Sequence, residues 1–220
     1  MFDIIFISYN EPNAVENFTK LKERFPLAKH VQGVTGIHQA HIAAAKRSFS
    51  PMFWVVDADA IILDTFNFDY QLTKEEHDIV HVWRSRNPVN GLEYGYGGVK
   101  LLPKKLTLAM DVNSTDMTMN ISSRFKAMEE VSNITAFNTD PFTTWRSAFR
   151  ECCKLAITDN EEAIHRLQTW CVVASGNYSE FAIAGANAGK KYGQENAGNI
   201  PALSLINDFE WLKFIYLQTH

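Results

Sequence analysis

Three cysteines in 220 residues, two of them adjacent at Cys152 and Cys153 and the third at Cys171, are too few and too irregularly spaced for a disulfide framework or a paired metal motif. A reducing cytoplasm is the expected setting. No run approaches the ~18 apolar residues that a membrane span needs, so no membrane partner is expected. The stretch Met1 to Ser8 enters a strand pattern at once and lacks the basic, apolar and small-residue regions of a signal peptide, so no export is expected. Sequons at Asn17, Asn113, Asn120, Asn133 and Asn177 would then meet no glycosylation machinery. Positive charge is also scarce: 21 Lys and Arg against 25 Asp and Glu give a net charge of -4, which offers no global field to draw in nucleic acid. Any such role needs a local basic patch. Repeats, low-complexity tracts and linkers are missing too, so residues 1–220 read as a single domain.

What is present is an ordinary globular composition, 46% hydrophobic and 21% charged, enough for one sizeable core. Asp3 to Tyr9 reads as a buried strand. Asn10-Glu11-Pro12-Asn13 is a turn, with Asn13 as N-cap of a helix to about Arg24 whose inward stripe is Phe18, Leu21 and Phe25. Ala28 to Val34 is a second strand, and a helix runs from about Ile37 to Phe49, ended before Pro51. A third strand, Phe53-Trp54-Val55-Val56, is apolar without alternation, as a strand buried on both faces reads. This alternation predicts an α/β fold with a Rossmann-like, mostly parallel central sheet flanked by helices. His77 to Arg84 reads as a fourth strand, Leu92 to Leu102 as a glycine-rich ligand-facing loop, and Ile121 to Glu130 as a helix. Asp140-Pro141 opens the clearest helix, to about Ile157, as N-cap and first helical residue. Helical stretches near 161–173 and 178–190 and an amphipathic tail at 206–215 complete a helical C-terminal part.

The chemistry centres on Asp57 and Asp59, one residue apart just after the third strand. Open α/β sheets bind ligands beyond the carboxyl ends of their strands. Two hard oxygen donors there suit Mg²⁺ or Mn²⁺, completed by substrate phosphates. A pair of turn aspartates is the bland alternative. Ser8, Tyr9 and Glu11 follow the first strand and face the same crevice. Gly36 opens the second helix, whose positive N-terminal end, with His38 and His41, suits a diphosphate. Gly97 and Gly98 mark backbone that approaches a ligand closely. Arg84 and Arg86 offer planar forks for phosphate, and Arg146 and Arg150, one turn apart beside Trp145, form a basic edge. Asp140 is a candidate general base, although its capping position already accounts for it.

The runs Ser8-Tyr9-Asn10-Glu11-Pro12 and Val55-Val56-Asp57-Ala58-Asp59 resemble the nucleotide-sugar half of GT-A glycosyltransferases. The stretches His81 to Pro88, Tyr94 to Pro103 and Phe137 to Arg146 resemble a tailed-phage group of these enzymes. The resemblance implies a donor that is a nucleoside-diphosphate sugar, most simply a UDP-sugar, held by Ser8, Tyr9, Glu11, Gly36, His41, Asp57, Gly97 and Gly98. It implies a metal on Asp57 and Asp59, with a third ligand loosely placed at His165 or Asp208. It further implies an acceptor hydroxyl, by extension 5-hydroxymethylcytosine in DNA, approached by Arg84, Arg86, Trp145 and Arg146, with Lys100, Lys104, Lys105, Lys190 and Lys191 as a phosphate-contacting patch. A nucleotidyltransferase using the same metal logic, or a non-catalytic nucleotide-binding protein, are the rival readings. A haloacid-dehalogenase phosphatase also carries Asp-x-Asp, but after its first strand.

Overall fold

The computed structural model describes residues 2–112 and 117–219, so the sequon at Asn113 lies outside the described residues. The chain forms two compact units, Met1–Arg86 with Glu93–Ala136, and Asn87–Leu92 with Phe137–His220. The first is α/β and the second is helical.

In the first unit the order is β1 (Asp3–Ser8), α1 (Ala14–Arg24), β2 (Lys29–Gln32), α2 (Ile37–Arg47), β3 (Met52–Asp57), β4 (Ala60–Ile62), β5 (Val80–Arg86), β6 (Glu93–Pro103), α3 (Lys104–Leu108), α4 (Met117–Ile121) and β7 (Phe125–Thr135). The strands make one sheet in the order β2-β1-β3-β6-β5-β7-β4. Strand periodicity sorts its side chains into two cores. Ile4, Phe6, Trp54 and Val56 share one core with Leu21 of α1, and Ile5, Ile7, Phe53 and Val55 share the other with Ala44 and Ala45 of α2. Both faces are covered, which is why β1 and β3 read as unbroken apolar runs.

The expected α/β architecture is present, but the sheet is mixed rather than mostly parallel. β1 pairs in parallel with β2 and β3, and β5 with β7, whereas β3–β6, β5–β6 and β4–β7 are antiparallel. The strand-helix alternation stops after β3, and the later ladders among the described residues are antiparallel except that of β5 with β7. The glycine-rich stretch expected as a loop is β6, an eleven-residue strand. Its register against β5 shifts around Arg84, so the glycines fall where the ladder is irregular. The segment 121–130 expected as a helix is largely β7, in which partly buried Lys126 and Met128 alternate with exposed residues. Charge-rich Phe125-Lys126-Ala127-Met128-Glu129-Glu130 hides that alternation, and pairing with β5 overrides its helical propensity. The short β4 has no signal of its own beyond three apolar residues.

In the second unit α5 (Pro141–Ala156), α6 (Glu161–Val172), α7 (Ser179–Glu195), α8 (Ile200–Ser204) and α9 (Phe209–Thr219) surround a core of Trp145, Phe149, Cys153, Ile206 and Leu212. α7 lays Gly185, Gly189 and Gly193, spaced by four, directly on the backbone of α5. A β-carbon at Gly185 or Gly189 would collide with the carbonyl oxygen of Trp145 or Phe149 respectively. Glycine here sets the distance between two helices.

Intrinsic helix propensity favours alanine over glycine by about 1 kcal/mol. The collision reverses that sign, because neither backbone oxygen is a flexible chain end. Gly189→Ala is expected to destabilise the protein by about 1–3 kcal/mol, the usual range for overpacking, read as a lower urea midpoint. A midpoint at or above wild type would show that α5 and α7 do not pack this closely.

Candidate active site at the end of β3

Asp57 is the last residue of β3, and strand alternation carries Phe53, Val55 and Asp57 to the α2 face of the sheet. β6 runs antiparallel beside it with Lys100 opposite Val55. Lys100 therefore points to the same face, where its ammonium donates to both Asp57 oxygens at 2.9 Å each. Lys100 is 3% exposed, while the Asp57 side chain keeps 27% of its surface open. A buried lysine needs such a partner, since an unpaired charge in this position would be very costly. Burial raises the Asp57 pKa, Lys100 opposes the rise and Glu11 adds to it.

Asp59, two residues on, is in no ion pair among the described residues, and Lys100 reaches it only through its charge. The Asp59 pKa is pushed up to about 6, by burial first and then by the charges of Asp57 and Glu11. The turn between the two aspartates is fixed from outside. Buried Asn17 of α1 donates its side-chain amide to the Ala58 carbonyl at 2.8 Å, and the Ala136 amide donates to the Asp59 carbonyl at 2.7 Å. Asn13, expected to cap α1, makes no side-chain cap and instead donates to the Ala136 carbonyl.

The glycine pair lies where the sequence suggested. A β-carbon at Gly97 would sit 3.9 Å from Asp57 Oδ2, so this backbone passes beside the carboxylate. At Gly98 it would lie 2.5 Å from the Asn133 side-chain nitrogen, so only glycine admits that amide. Asn133 is fully buried and its Oδ1 accepts from Ser85 and Ser132, both at 2.9 Å, which ties β5 and β7 to the site. Asn17 and Asn133 are also two of the sequons, and both are buried as structural amides.

Of the remaining donor candidates, Tyr9 is 49% exposed and its amide donates to Glu11, placing both side chains at the β1 end. Ser8 hydrogen-bonds His30 Nε2 at 2.7 Å. Gly36 precedes α2 with a positive φ of 91° and is exposed. His41 is corrected: it is 0% exposed and makes no contact available to a donor. Its Nδ1 donates to the Ile37 carbonyl at 2.8 Å, and burial followed by the Lys100 charge pushes its pKa down to about 3, so the ring is neutral. The run of small alanines in α2 lets the helix settle close enough to the sheet to cover it.

The acceptor candidates are corrected more sharply. Arg84 pairs with Glu129 at 2.9 Å and Arg86 with Glu93 at 2.8 Å, so both forks already hold carboxylates. Trp145 is 1% exposed and stacks on Phe149 in the helical core. Lys100, expected on a surface patch, is the buried partner of Asp57. Its signal was present in Gly98-Val99-Lys100-Leu101-Leu102, since a single cation in a two-sided apolar strand demands a buried carboxylate.

Asp140 belongs to the helical unit. Its Oδ1 accepts from the Thr143 amide at 2.9 Å and its Oδ2 from the Thr139 hydroxyl at 3.3 Å. Burial raises its pKa, but the Thr143 and Thr139 hydrogen bonds and the Arg146 charge outweigh it, and the net shift is downward. This is the geometry of a helix cap and works against a general base. Asp208 likewise caps α9, accepting from the Glu210 and Trp211 amides.

A divalent cation fits the β3 end by charge and donor chemistry. Asp57, Asp59 and Glu11 set three carboxylates against one lysine, and every donor is a hard oxygen. Among the described residues no group of three His, Cys, Asp or Glu is arranged to hold a metal unaided. Substrate oxygens would have to complete the shell, as Mg²⁺ commonly requires.

No family model and no curated protein matches this chain. Solved structures with similar α/β topology include HddC from Yersinia pseudotuberculosis (12% identity over 58% of this chain and 90% of that one, TM-score 0.39). They also include the bifunctional IspDF from Campylobacter jejuni (11%, 63% and 53%, TM-score 0.44) and TarS 1-349 from S. aureus (12%, 99% and 92%, TM-score 0.42). None of the three is named as a phage or DNA-modifying protein. At these identities and TM-scores the likeness assigns no chemistry to this chain, because one fold serves many functions.

Removing one member of a buried ion pair leaves an uncompensated charge, whereas removing both leaves none. Lys100→Met is expected to cost about 3–5 kcal/mol in urea denaturation, and Asp57→Asn combined with Lys100→Met to regain most of that loss. Simple addition of the two single-variant costs would show that the pair is not coupled.

Proposed function

We propose that this chain is a metal-dependent glycosyltransferase of the GT-A type, moving a sugar from a nucleoside-diphosphate sugar, most simply a UDP-sugar, to a hydroxyl acceptor. The observation that carries the reading is the Asp-x-Asp turn at the carboxyl end of β3, with more negative charge than Lys100 neutralises. Asp59, the carboxylate without a protein cation, would hold Mn²⁺ or Mg²⁺ together with the donor diphosphate. Asp57, clamped by Lys100, presents its open edge to the same ligand in one orientation. When bound, the ion supplies Lewis-acid stabilisation of charge on the departing diphosphate. Tyr9 offers an exposed ring against which a base can lie, and the side-chain-free backbone at Gly97 lets the transferred sugar approach Asp57. Asn17 and the Ala136 amide hold the turn rigid, so its carboxylates need not reorganise on binding.

The acceptor is proposed as a hydroxyl group. A DNA base such as 5-hydroxymethylcytosine gains no support here, because Arg84 and Arg86 are each neutralised by a glutamate and Lys100 is buried.

Thermal-shift measurement with nucleotide sugars, with and without Mn²⁺, is the direct test. A donor at 100 times its Kd should add about 2.7 kcal/mol of stability, and the gain should require the metal. Asp59→Asn is expected to lose that gain and at least about 100-fold in turnover, close to 2.7 kcal/mol of transition-state stabilisation. Release of nucleoside diphosphate supports glycosyl transfer, and release of pyrophosphate would make the protein a nucleotidyltransferase instead. Normal turnover by Asp59→Asn would remove the basis of the proposal.

A further inference from the structure

The helical unit carries two arginines, Arg146 and Arg150, that are in no ion pair among the described residues and that the nucleotide-sugar reading does not use. Arg146 and Arg150 lie one turn apart on the same face of α5, both partly buried. Like charges at this spacing repel. Phe209, the first residue of α9, is a platform shared by both: its ring centroid is 4.2 Å from the Arg146 guanidinium carbon and 5.4 Å from that of Arg150. Phe142 lies on Arg146 as well, at 5.5 Å. Rings that stack on a guanidinium occupy its faces and leave its N–H edges for in-plane hydrogen bonds.

Those edges are largely unused. Arg150 donates one bond, from Nη2 to Asn207 Oδ1 at 2.9 Å, while its Nε is buried and has no partner. Arg146 has no acceptor and neither arginine is in an ion pair among the described residues. The nearest acidic influences are the charges of Asp140 on Arg146 and Glu151 on Arg150, and neither carboxylate is in ion-pair contact with its arginine among the described residues. Burial leads in lowering the pKa of both arginines, with Asp140 opposing it on Arg146, and with the Arg146 charge adding to it and Glu151 opposing it on Arg150.

We infer that Arg146 and Arg150, held against Phe209, form a binding site for a phosphate group, free or as the monoester of a small molecule. A tetrahedral dianion matches two cations and offers the several acceptor oxygens that two forks need, which a single carboxylate does not. The site lies wholly within the helical unit and stands or falls independently of the donor chemistry at β3.

The test is a titration of the full-length protein with inorganic phosphate and with phenyl phosphate at constant ionic strength, following the arginine Nε–Hε resonances by NMR. Saturable movement of two arginine signals is expected in wild type, with sodium acetate giving no saturation. Arg146→Gln and Arg150→Gln should each raise the apparent Kd at least about tenfold, and Arg146→Lys, which keeps the charge but not the fork, should also weaken binding. Because Arg150→Gln also removes the Asn207 contact, Phe209→Ala supplies a variant that keeps both charges and loses only the platform, and it too should weaken binding. Absence of saturation in wild type, or equal saturation by acetate, or unchanged affinity in both glutamine variants, would overturn the site.

Discussion

Everything at the candidate site depends on one buried electrostatic contact, the ammonium of Lys100 against both oxygens of Asp57. A lysine at 3% exposure in the centre of a sheet is tolerable only if a carboxylate meets it, and β3 ends at the one position where strand alternation can supply that carboxylate. The contact joins residues 43 positions apart and so ties β3 to β6 before any ligand is considered. It also divides the labour between two aspartates that look equivalent in sequence. Asp57 is restrained and partly neutralised, while Asp59 sits in the field of Asp57 and Glu11 with no cation of its own.

Around that contact, the backbone of the Asp-x-Asp turn is held by groups that carry no charge. Asn17 reaches from α1 to the Ala58 carbonyl, and Ala136, just past the end of β7, donates its amide to the Asp59 carbonyl. Asn133, also on β7, fills the space that Gly98 leaves open and ties in β5 through Ser85. Helix, sheet edge and central strand thus converge on three consecutive residues. The turn inherits the rigidity of elements on both sides, which is what an anion- and metal-binding surface needs if binding is not to be spent on ordering it.

How much of this was readable in the sequence follows from the range of each interaction. β1 and β3 were legible as unbroken apolar runs, α1 by its helical stripe, and β2 and α2 by the turn residues and proline that bound them, while the acidic pair was legible because it interrupts an apolar run. β6 and β7 were not, since three glycines and a cluster of charges erase the local alternation and only cross-strand pairing restores it. His41, Trp145 and Lys100 were misplaced for the same reason. Histidine, tryptophan and lysine are each compatible with surface or core, and the element that buries them comes from elsewhere in the chain. The inward stripe of α1 held a usable clue that was easily missed: Ala14, Asn17 and Leu21 share a face, and an amide on an apolar stripe must have a partner inside.

The charge clusters in the described residues separate into two kinds, and the difference is what singles out two of them as the proposed sites. Asp3 accepts from Lys29, Ser48, Ser50 and the Phe49 amide, and its pKa is lowered by them despite burial; Glu76 accepts from Lys126, Tyr70 and the Thr73 amide, and is lowered to about 2. Each of those groups is satisfied within the chain and gains nothing from a ligand. The β3 end keeps surplus negative charge, and the α5 arginines keep surplus positive charge with an unpartnered Nε, although both lie in surroundings that penalise an uncompensated ion. A fold retains such imbalance at a cost in stability, and a bound counter-charge would repay that cost in proportion to how tightly it is held. The asymmetry therefore carries chemical information. Closed networks serve the fold, and the two open ones are where the proposed ligands, a cation with a diphosphate in one unit and a phosphate in the other, would be held.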